Sequence, residues 1–173
     1  MIFLYILCGI VAVILILMLI APRESTVSRS VTVNVSPEAA FAHLRSLANH
    51  AKWSPWNERD PNMEKGYRGK DGEVGSVYWW TGNKQVGQGE QEITALTPNS
   101  KVDIELRFMK PFKAVNQTWF LIEPDGAGSK VTWGFYATFK PPMNIMMMFM
   151  NMDKALGNDF QNGLDKFKTT IEA

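Results

Sequence analysis

The first 22 residues carry no charged side chain, and this feature constrains the chain more than any other. Residues 2–22 consist mainly of Ile, Leu, Val, Met and Phe. A helix of this length, rising ~1.5 Å per residue, matches the ~30 Å hydrocarbon core of a bilayer. The sequence therefore predicts a transmembrane anchor at residues 1–22, a short linker at 23–26 and one soluble domain at 27–173.

A cleaved signal peptide is the alternative for this apolar segment. Such peptides have a basic start, a shorter apolar run and small residues before the cleavage site. Here no Lys or Arg precedes the run, and Leu19 stands where a small residue is needed. We therefore expect a retained, single-pass anchor. Arg23 and Arg29 follow the span, which favours a cytoplasmic location for the soluble domain.

Charge and cysteine content argue against several classes of function. All 18 Lys and Arg and all 17 Asp and Glu follow the apolar run, so the soluble part mixes both signs and has no basic stripe for nucleic acid. The single cysteine, Cys8, lies within the apolar run. His43 and His50 lack an identifiable third metal ligand, and we expect both to face solvent. We expect no nucleic-acid partner, no metal and no cofactor.

Alternation of apolar and polar residues predicts strands with one buried face. The first is residues 27–35. Residues 53–75, with their prolines and glycines, predict loop and short strand. Short turns separate the later strands, which indicates an antiparallel meander. These later strands are residues 76–81, 86–96, 102–108, 115–122 and 130–140.

Helical signals flank the predicted meander. Ser36 followed by Pro37 provides an N-cap and a first-turn proline for a short helix. After Pro142, apolar residues recur at three- or four-residue steps to the end of the chain, which predicts a long amphipathic helix. Gly157 and Gly163 within it each cost about 1 kcal/mol relative to Ala, so we expect close packing or a bend there.

Several local motifs accompany this order of elements. They are Trp53-Ser54-Pro55-Trp56, the strand Gly75-Ser76-Val77-Tyr78-Trp79-Trp80, Gly87-Gln88-Gly89, and the stretch from Gly157 to Lys168. Over about residues 27–172 the chain resembles the polyketide cyclase/dehydratase-like branch of the SRPBCC superfamily. That superfamily includes START lipid-transfer domains, pollen-allergen-like proteins, aromatic cyclases and co-chaperone activators.

The resemblance implies an α+β helix-grip fold, in which a curved antiparallel sheet wraps around a long C-terminal helix over a hydrophobic tunnel. It implies no catalytic residue, because this branch has no general catalytic motif. The aromatic residues predicted to line the tunnel are Trp53, Trp56, Tyr78, Trp80, Trp119, Trp133 and Phe135. An ordinary aromatic core is the alternative for the same residues.

Methionines crowd the predicted start of the last helix, and Met146 and Met150 are the candidates for the mouth of the tunnel. Packing filler and contact with the bilayer are the alternatives. The leading hypothesis is a membrane-anchored binding module for a small hydrophobic ligand or lipid. The competing hypotheses are a cyclase or dehydratase that moves a proton through Tyr78 or Glu92, and a protein-docking module resembling co-chaperone activators. Glu90 and Glu92 share one strand face, which their polar neighbours indicate is solvated.

Overall fold

An antiparallel sheet of seven strands organises the chain in a computed structural model that describes residues 1–173. The spatial order is β1-β7-β6-β5-β4-β3-β2, so every sequential strand after β2 pairs with its predecessor and β7 closes back onto β1. The strands are β1 (Glu24–Val33), β2 (Glu64–Arg68), β3 (Val77–Thr81), β4 (Gln88–Thr97), β5 (Lys101–Lys110), β6 (Ala114–Asp125) and β7 (Gly128–Thr138).

Six helices complete the fold. They are α1 (Ile2–Ile20), α2 (Pro37–Leu44), α3 (Leu47–His50), α4 (Trp56–Arg59), α5 (Met143–Met147) and α6 (Met152–Ile171). Ser36 caps α2 by accepting a hydrogen bond from the main-chain N–H of Ala39, as its sequence position predicts. The curved sheet and the long C-terminal helix confirm the predicted α+β helix-grip class.

Strand register gives the sheet two distinct ends. At the first, called the α1 end below, β1 begins at Glu24 opposite Thr138, the last residue of β7. The turn between β5 and β6, residues 111–113, lies at this same end. The far end is where β1 finishes at Val33 and where the β2–β3 connection enters β3. The α1 end therefore carries both the exit from α1 and the connection from β7 to α5.

Helix α6 packs across the sheet through aromatic contacts. The rings of Trp133 on β7 and Phe160 on α6 stack with centroids 4.3 Å apart and 3° between their planes. A Cβ atom added at Gly163 would lie 2.8 Å from the Trp133 indole. One added at Gly157 would lie 2.1 Å from the Arg29 guanidinium, which binds Asp153 on α6 over 2.8 Å. The close packing expected at the two glycines is confirmed.

Several boundaries differ from those predicted. Strand β1 begins at Glu24, so residues 24–26, which the sequence placed in a linker, pair with β7 instead. All three residues are polar, so the alternation of apolar and polar residues did not indicate a strand here. Within residues 53–75, predicted as loop and short strand, the short edge strand β2 agrees with the prediction, whereas the short helix α4 does not. Residues 148–151 separate α5 from α6, and Asn151 caps α6 by accepting a hydrogen bond from the N–H of Lys154.

Helix α1 is long and apolar enough to cross a membrane, and none of its residues is buried in the protein. Its end is nevertheless tied to the domain. The side-chain amide of Asn144 on α5 donates hydrogen bonds to the carbonyl oxygens of Met18 and Ala21, over 2.9 and 3.3 Å. Helix α1 thus leaves the domain beside α5, at the α1 end of the sheet.

Candidate functional site

A large cavity lies between the inner face of the sheet, the short helices and α6. Its volume is about 1240 Å³, and 25 of the 38 residues that line it are hydrophobic. Period-two geometry explains which strand residues reach it, since alternate side chains point to opposite faces of a strand. The inward-facing residues of β5, β6 and β7 are Ile104, Leu106 and Phe108 on β5, Asn116, Thr118 and Phe120 on β6, and Trp133, Phe135 and Ala137 on β7.

The cavity opens at the α1 end of the sheet. Phe112 and Lys113 of the β5–β6 turn contribute to one side of the mouth, and Lys140, Met143 and Met146 contribute to the other. Phe112 and Met146 have exposed fractions of 68% and 52%, so the mouth presents apolar surface to its surroundings. The mouth and the exit of α1 therefore share one end of the domain.

Most of the predicted site residues lie together around this cavity. Its lining includes Trp56, Tyr78, Trp80, Trp133, Phe135, Met146 and Met150. Trp53 does not line it, because it is buried in the core with edge-on contacts to Phe120, Trp133 and Phe167. Trp119 does not line it either. Its neighbours Thr118 and Phe120 face inward, so Trp119 lies on the outer face of the sheet against Gly134.

His50 is part of the cavity wall, contrary to the expectation that it faces solvent. The imidazole is buried, and its Nε2 donates a hydrogen bond to the carbonyl oxygen of Leu44 over 2.6 Å. The expectation assumed one continuous helix. Instead, a break at Arg45 and a second N-cap at Ser46 start the separate helix α3, which turns His50 inward.

Two ionisable groups of the inner wall, His50 and Tyr78, are neutral near pH 7. Burial lowers the pKa of His50 to about 4, although its bond to Leu44 opposes the shift. Because Nε2 carries the proton, Nδ1 is left as an acceptor. Burial, with a smaller contribution from Tyr67, raises the pKa of Tyr78 to about 12. The Tyr78 hydroxyl lies 3.5 Å from Oδ1 of Asn57, a long contact that leaves it available to another acceptor.

Glu90 and Glu92 belong to an ion-pair network on the outer face of the sheet. The Arg107 guanidinium bonds to Glu90 over 2.8 Å and to Glu92 over 2.6 Å, and it also binds Glu105. Burial opposes ionisation of Glu90, but its hydrogen bonds from Arg107 and Arg68 hold the pKa of that carboxyl below its usual value. The predicted solvated face is found only in part, because the side chains of Glu90 and Glu92 are 13% and 32% exposed. Glu92 is thus no proton carrier for the cavity.

Sequence reasoning missed several residues of the wall and mouth. Asn57, Gln91 and Asn116 add amide groups, and Phe112 and Lys113 form the turn at the mouth. Strand alternation could have found Gln91 and Asn116, because Gln91 shares a strand face with the buried Ile93 and Asn116 shares one with the buried Phe120. No pattern distinguished Phe112. No group of three or more His, Cys, Asp and Glu side chains is arranged to hold a metal ion.

Comparisons with known proteins identify the family to which the chain is similar. Residues 24–172 match the family model described as polyketide cyclase/dehydrase and lipid transport. A search of curated proteins returns no match.

Solved structures with similar folds share little sequence with the chain. A Chromobacterium violaceum protein is 13% identical, with a TM-score of 0.61 over 86% of this chain and 97% of its own. The Aha1 dimer from Colwellia psychrerythraea is 16% identical, with a TM-score of 0.59 over 86% of this chain and 96% of its own.

The di-domain ARO/CYC StfQ from the steffimycin biosynthetic pathway is 13% identical, with a TM-score of 0.62 over 87% of this chain and 51% of its own. At these identities the likeness concerns the fold alone. The family match covers most of the chain and agrees with the helix-grip architecture. The chain therefore belongs to the polyketide cyclase/dehydrase and lipid transport family, an SRPBCC-type group.

Proposed function

We propose that the protein is a membrane-anchored binding module that holds a small hydrophobic ligand, or the acyl part of a lipid, in its cavity. The observation that carries this proposal is the cavity of about 1240 Å³, lined mainly by hydrophobic residues and open at one end. Small-molecule sites usually measure about 300–1000 Å³, so this one has room for a lipid-sized ligand. The family's description, which includes lipid transport, supports the same assignment.

The polar content of the inner wall fits a neutral ligand. His50 and Tyr78 are uncharged near pH 7, because burial moves both pKa values away from neutrality. Arg59 and Arg107 border the cavity, but Arg59 binds Asp159 and Arg107 binds the outer carboxylates. Each methylene of a bound chain that leaves water contributes about 0.8 kcal/mol. Affinity would therefore come from apolar contact, and the amides and hydroxyls would orient a polar group.

Native mass spectrometry of the full chain, purified in mild detergent, tests this proposal. Lipids that surround α1 would co-purify whether or not the cavity is filled, so a matched pair of variants is needed. Leu106→Trp places an indole inside the cavity, whereas Leu121→Trp places the same group on the outer face of the sheet. Both variants keep α1 unchanged.

We expect the wild-type chain and Leu121→Trp to carry a bound apolar molecule that Leu106→Trp lacks. Extraction and mass measurement of that molecule would then identify its chemical class. Equal lipid content in all three proteins would contradict the proposal, because it would assign the lipid to the surface of α1. Circular dichroism spectra of the three proteins check that each variant is folded.

A cyclase or dehydratase is the second candidate, and two cavity groups favour it. Nδ1 of His50 can accept a proton, and the neutral Tyr78 hydroxyl can donate a hydrogen bond to a ketone oxygen. An aldol closure would join a carbanion carbon to a ketone carbon, with the proton moving from the C–H to the new alkoxide. Incubation with an acyclic poly-β-keto thioester, followed by mass spectrometry, tests this. A cyclised product that Tyr78→Phe fails to form would favour the enzyme.

Protein docking is the third candidate, favoured by the fold likeness to Aha1 and by the exposed methionines. Met143, Met146, Met148 and Met150 all present surface to solvent, whereas Met147 is buried. Methionine side chains adapt to varied apolar partners. This use differs from membrane contact in one measurable respect: a protein-binding surface stays in water when the chain is placed in vesicles that contain no other protein.

A further inference from the structure

We infer that the rim of the cavity is a membrane-docking surface that lies in the headgroup region of the leaflet from which α1 emerges. A lipid would then enter the cavity from that leaflet without crossing water. This inference rests on the anchoring that the proposed function includes, and it names the bilayer as both the docking partner and the source of the ligand. The rim is defined as residues 109–115 and 139–150.

The rim concentrates the exposed apolar surface of the folded domain. After α1, ten large hydrophobic side chains are exposed, and only Tyr67 and Val74 lie outside the rim. Phe149 is the most exposed of them at 83%. A soluble domain rarely leaves so much contiguous apolar surface in water, and such a patch indicates an interaction site. The eight on the rim are Met109, Phe112, Val115, Met143, Met146, Met148, Phe149 and Met150.

Hydrogen bonds hold this rim against the end of the anchor. Asn144 in α5 binds the carbonyls of Met18 and Ala21, and the N–H of Phe139 donates to the carbonyl of Arg23 over 2.7 Å. An anchor that crosses the hydrocarbon core ends at the interface, so chain bonded to its last turn lies at interfacial depth. Once α1 is inserted, these hydrogen bonds therefore keep the rim close to the bilayer surface.

The charge on the rim suits anionic headgroups. Lys110, Lys113 and Lys140 lie on or beside it, Arg23 follows α1, and none of the four forms a salt bridge. Lys113 and Lys140 also border the cavity mouth. A basic side chain near an anionic surface contributes about 1 kcal/mol to membrane binding. Exposed aromatic and methionine side chains flanked by lysines match the chemistry of an interfacial membrane surface.

Depth-dependent fluorescence quenching of the full chain in vesicles tests the inference. Single cysteines are introduced into a Cys8→Ala background at Phe149, at Phe112 and, as a control, at Val74. Val74 is 58% exposed but lies in the β2–β3 connection at the far end of the sheet. Each cysteine is labelled with an environment-sensitive fluorophore. The vesicles contain phosphatidylcholine and phosphatidylserine, with spin-labelled lipids that quench either at the headgroup or deep in the acyl region.

A further cysteine at Ile20 reports whether the anchor is inserted. We expect quenching at Phe149 and Phe112 by the headgroup probe, quenching at Ile20, and none at Val74. We also expect the double variant Lys113→Glu and Lys140→Glu to reduce quenching at Phe149 severalfold. These results together would support the inference.

Two outcomes would overturn it in distinguishable ways. Quenching at Ile20, with Phe149 and Phe112 no more quenched than Val74, would show an inserted anchor and a rim that stays in water. The inference would then fail while the proposed anchoring stands. Absence of quenching at Ile20 would remove the anchoring itself, and with it both the inference and that part of the proposed function.

Discussion

The side-chain amide of Asn144 donates a hydrogen bond over 2.9 Å to the main-chain carbonyl of Met18, two residues before the last residue of α1. The Asn144 side chain has no solvent exposure, although the α5 segment around it is largely exposed. The last carbonyls of a helix lack partners within that helix. One buried amide thus satisfies carbonyls at the end of α1 and fixes the rim beside it.

Replacement of Asn144 by Leu should loosen this attachment. The carbonyls of Met18 and Ala21 would lose their partner, and an unsatisfied buried polar group costs about 1–3 kcal/mol. We expect amide hydrogen exchange to accelerate in α5 and the end of α1 of the full chain in lipid nanodiscs, with little change in α6. Asn162→Leu, at an exposed position of α6, is the matched control. Unchanged exchange in α5 would mean that the bond does not hold the rim.

Replacement of Gly163 by Ala should destabilise the domain, although Ala favours helix over Gly by about 1 kcal/mol. The new methyl would lie 2.8 Å from the Trp133 indole, which cannot retreat because it stacks on Phe160. Overpacking of this kind typically costs about 1–3 kcal/mol. Denaturant unfolding of the full chain in micelles, followed by Trp fluorescence, measures the change. A gain in stability would show that the helix can move away from the sheet.

Local sequence patterns were sufficient for the main elements of this fold. Period-two alternation marked the strands from β3 to β7, and the Ser36-Pro37 pair marked the start of α2. The errors occur where long-range pairing outweighs local pattern. Polar residues at the start of β1 form a strand because β7 offers them partners. The helical spacing through 142–171 conceals a break at 148–151 that Asn151 makes by capping α6.

Residues of the candidate site could be predicted only where the sequence showed which face of a strand their side chains occupy. Trp133 and Phe135 lie two residues apart on β7 and both reach the cavity. Trp119 was selected for its residue type. Successive side chains of a strand face opposite sides of the sheet, so the inward-facing neighbours Thr118 and Phe120 would have excluded Trp119 from the cavity. The burial of His50 depends on the break between α2 and α3, which spacing alone does not reveal. The position of the rim beside α1 depends on sheet register, which is a property of the assembled fold.

Acid should destabilise the domain through His50. Its pKa is about 4 in the folded chain against an ordinary 6.5, so the unfolded state binds more protons between these values. The stabilisation is fully present above about pH 6.5 and is lost as the pH falls toward 4, by on the order of 3 kcal/mol. We expect His50→Phe to remove most of this pH dependence of the free energy of unfolding, as measured by denaturant unfolding across that pH range.

The control for this prediction is His43→Phe. Burial also lowers the pKa of His43, with a smaller contribution from Lys52. Protonation of this histidine therefore also lowers the free energy of unfolding as the pH falls. His43 is only half-buried, and its replacement should leave most of the acid sensitivity in place. An unchanged slope in His50→Phe would contradict the assignment of the acid sensitivity to the cavity histidine.

Photo-crosslinking with a fatty acid that carries a diazirine near its tail is the most direct test of cavity binding. The full chain in lipid nanodiscs is irradiated, and the modified residues are mapped by peptide mass spectrometry. We expect adducts on the inner wall, at residues such as Leu106, Phe135 and Leu156, that disappear in Leu106→Trp and persist in Leu121→Trp. Adducts confined to α1 and the rim, with an unmodified inner wall, would contradict the claim that the cavity holds an apolar ligand.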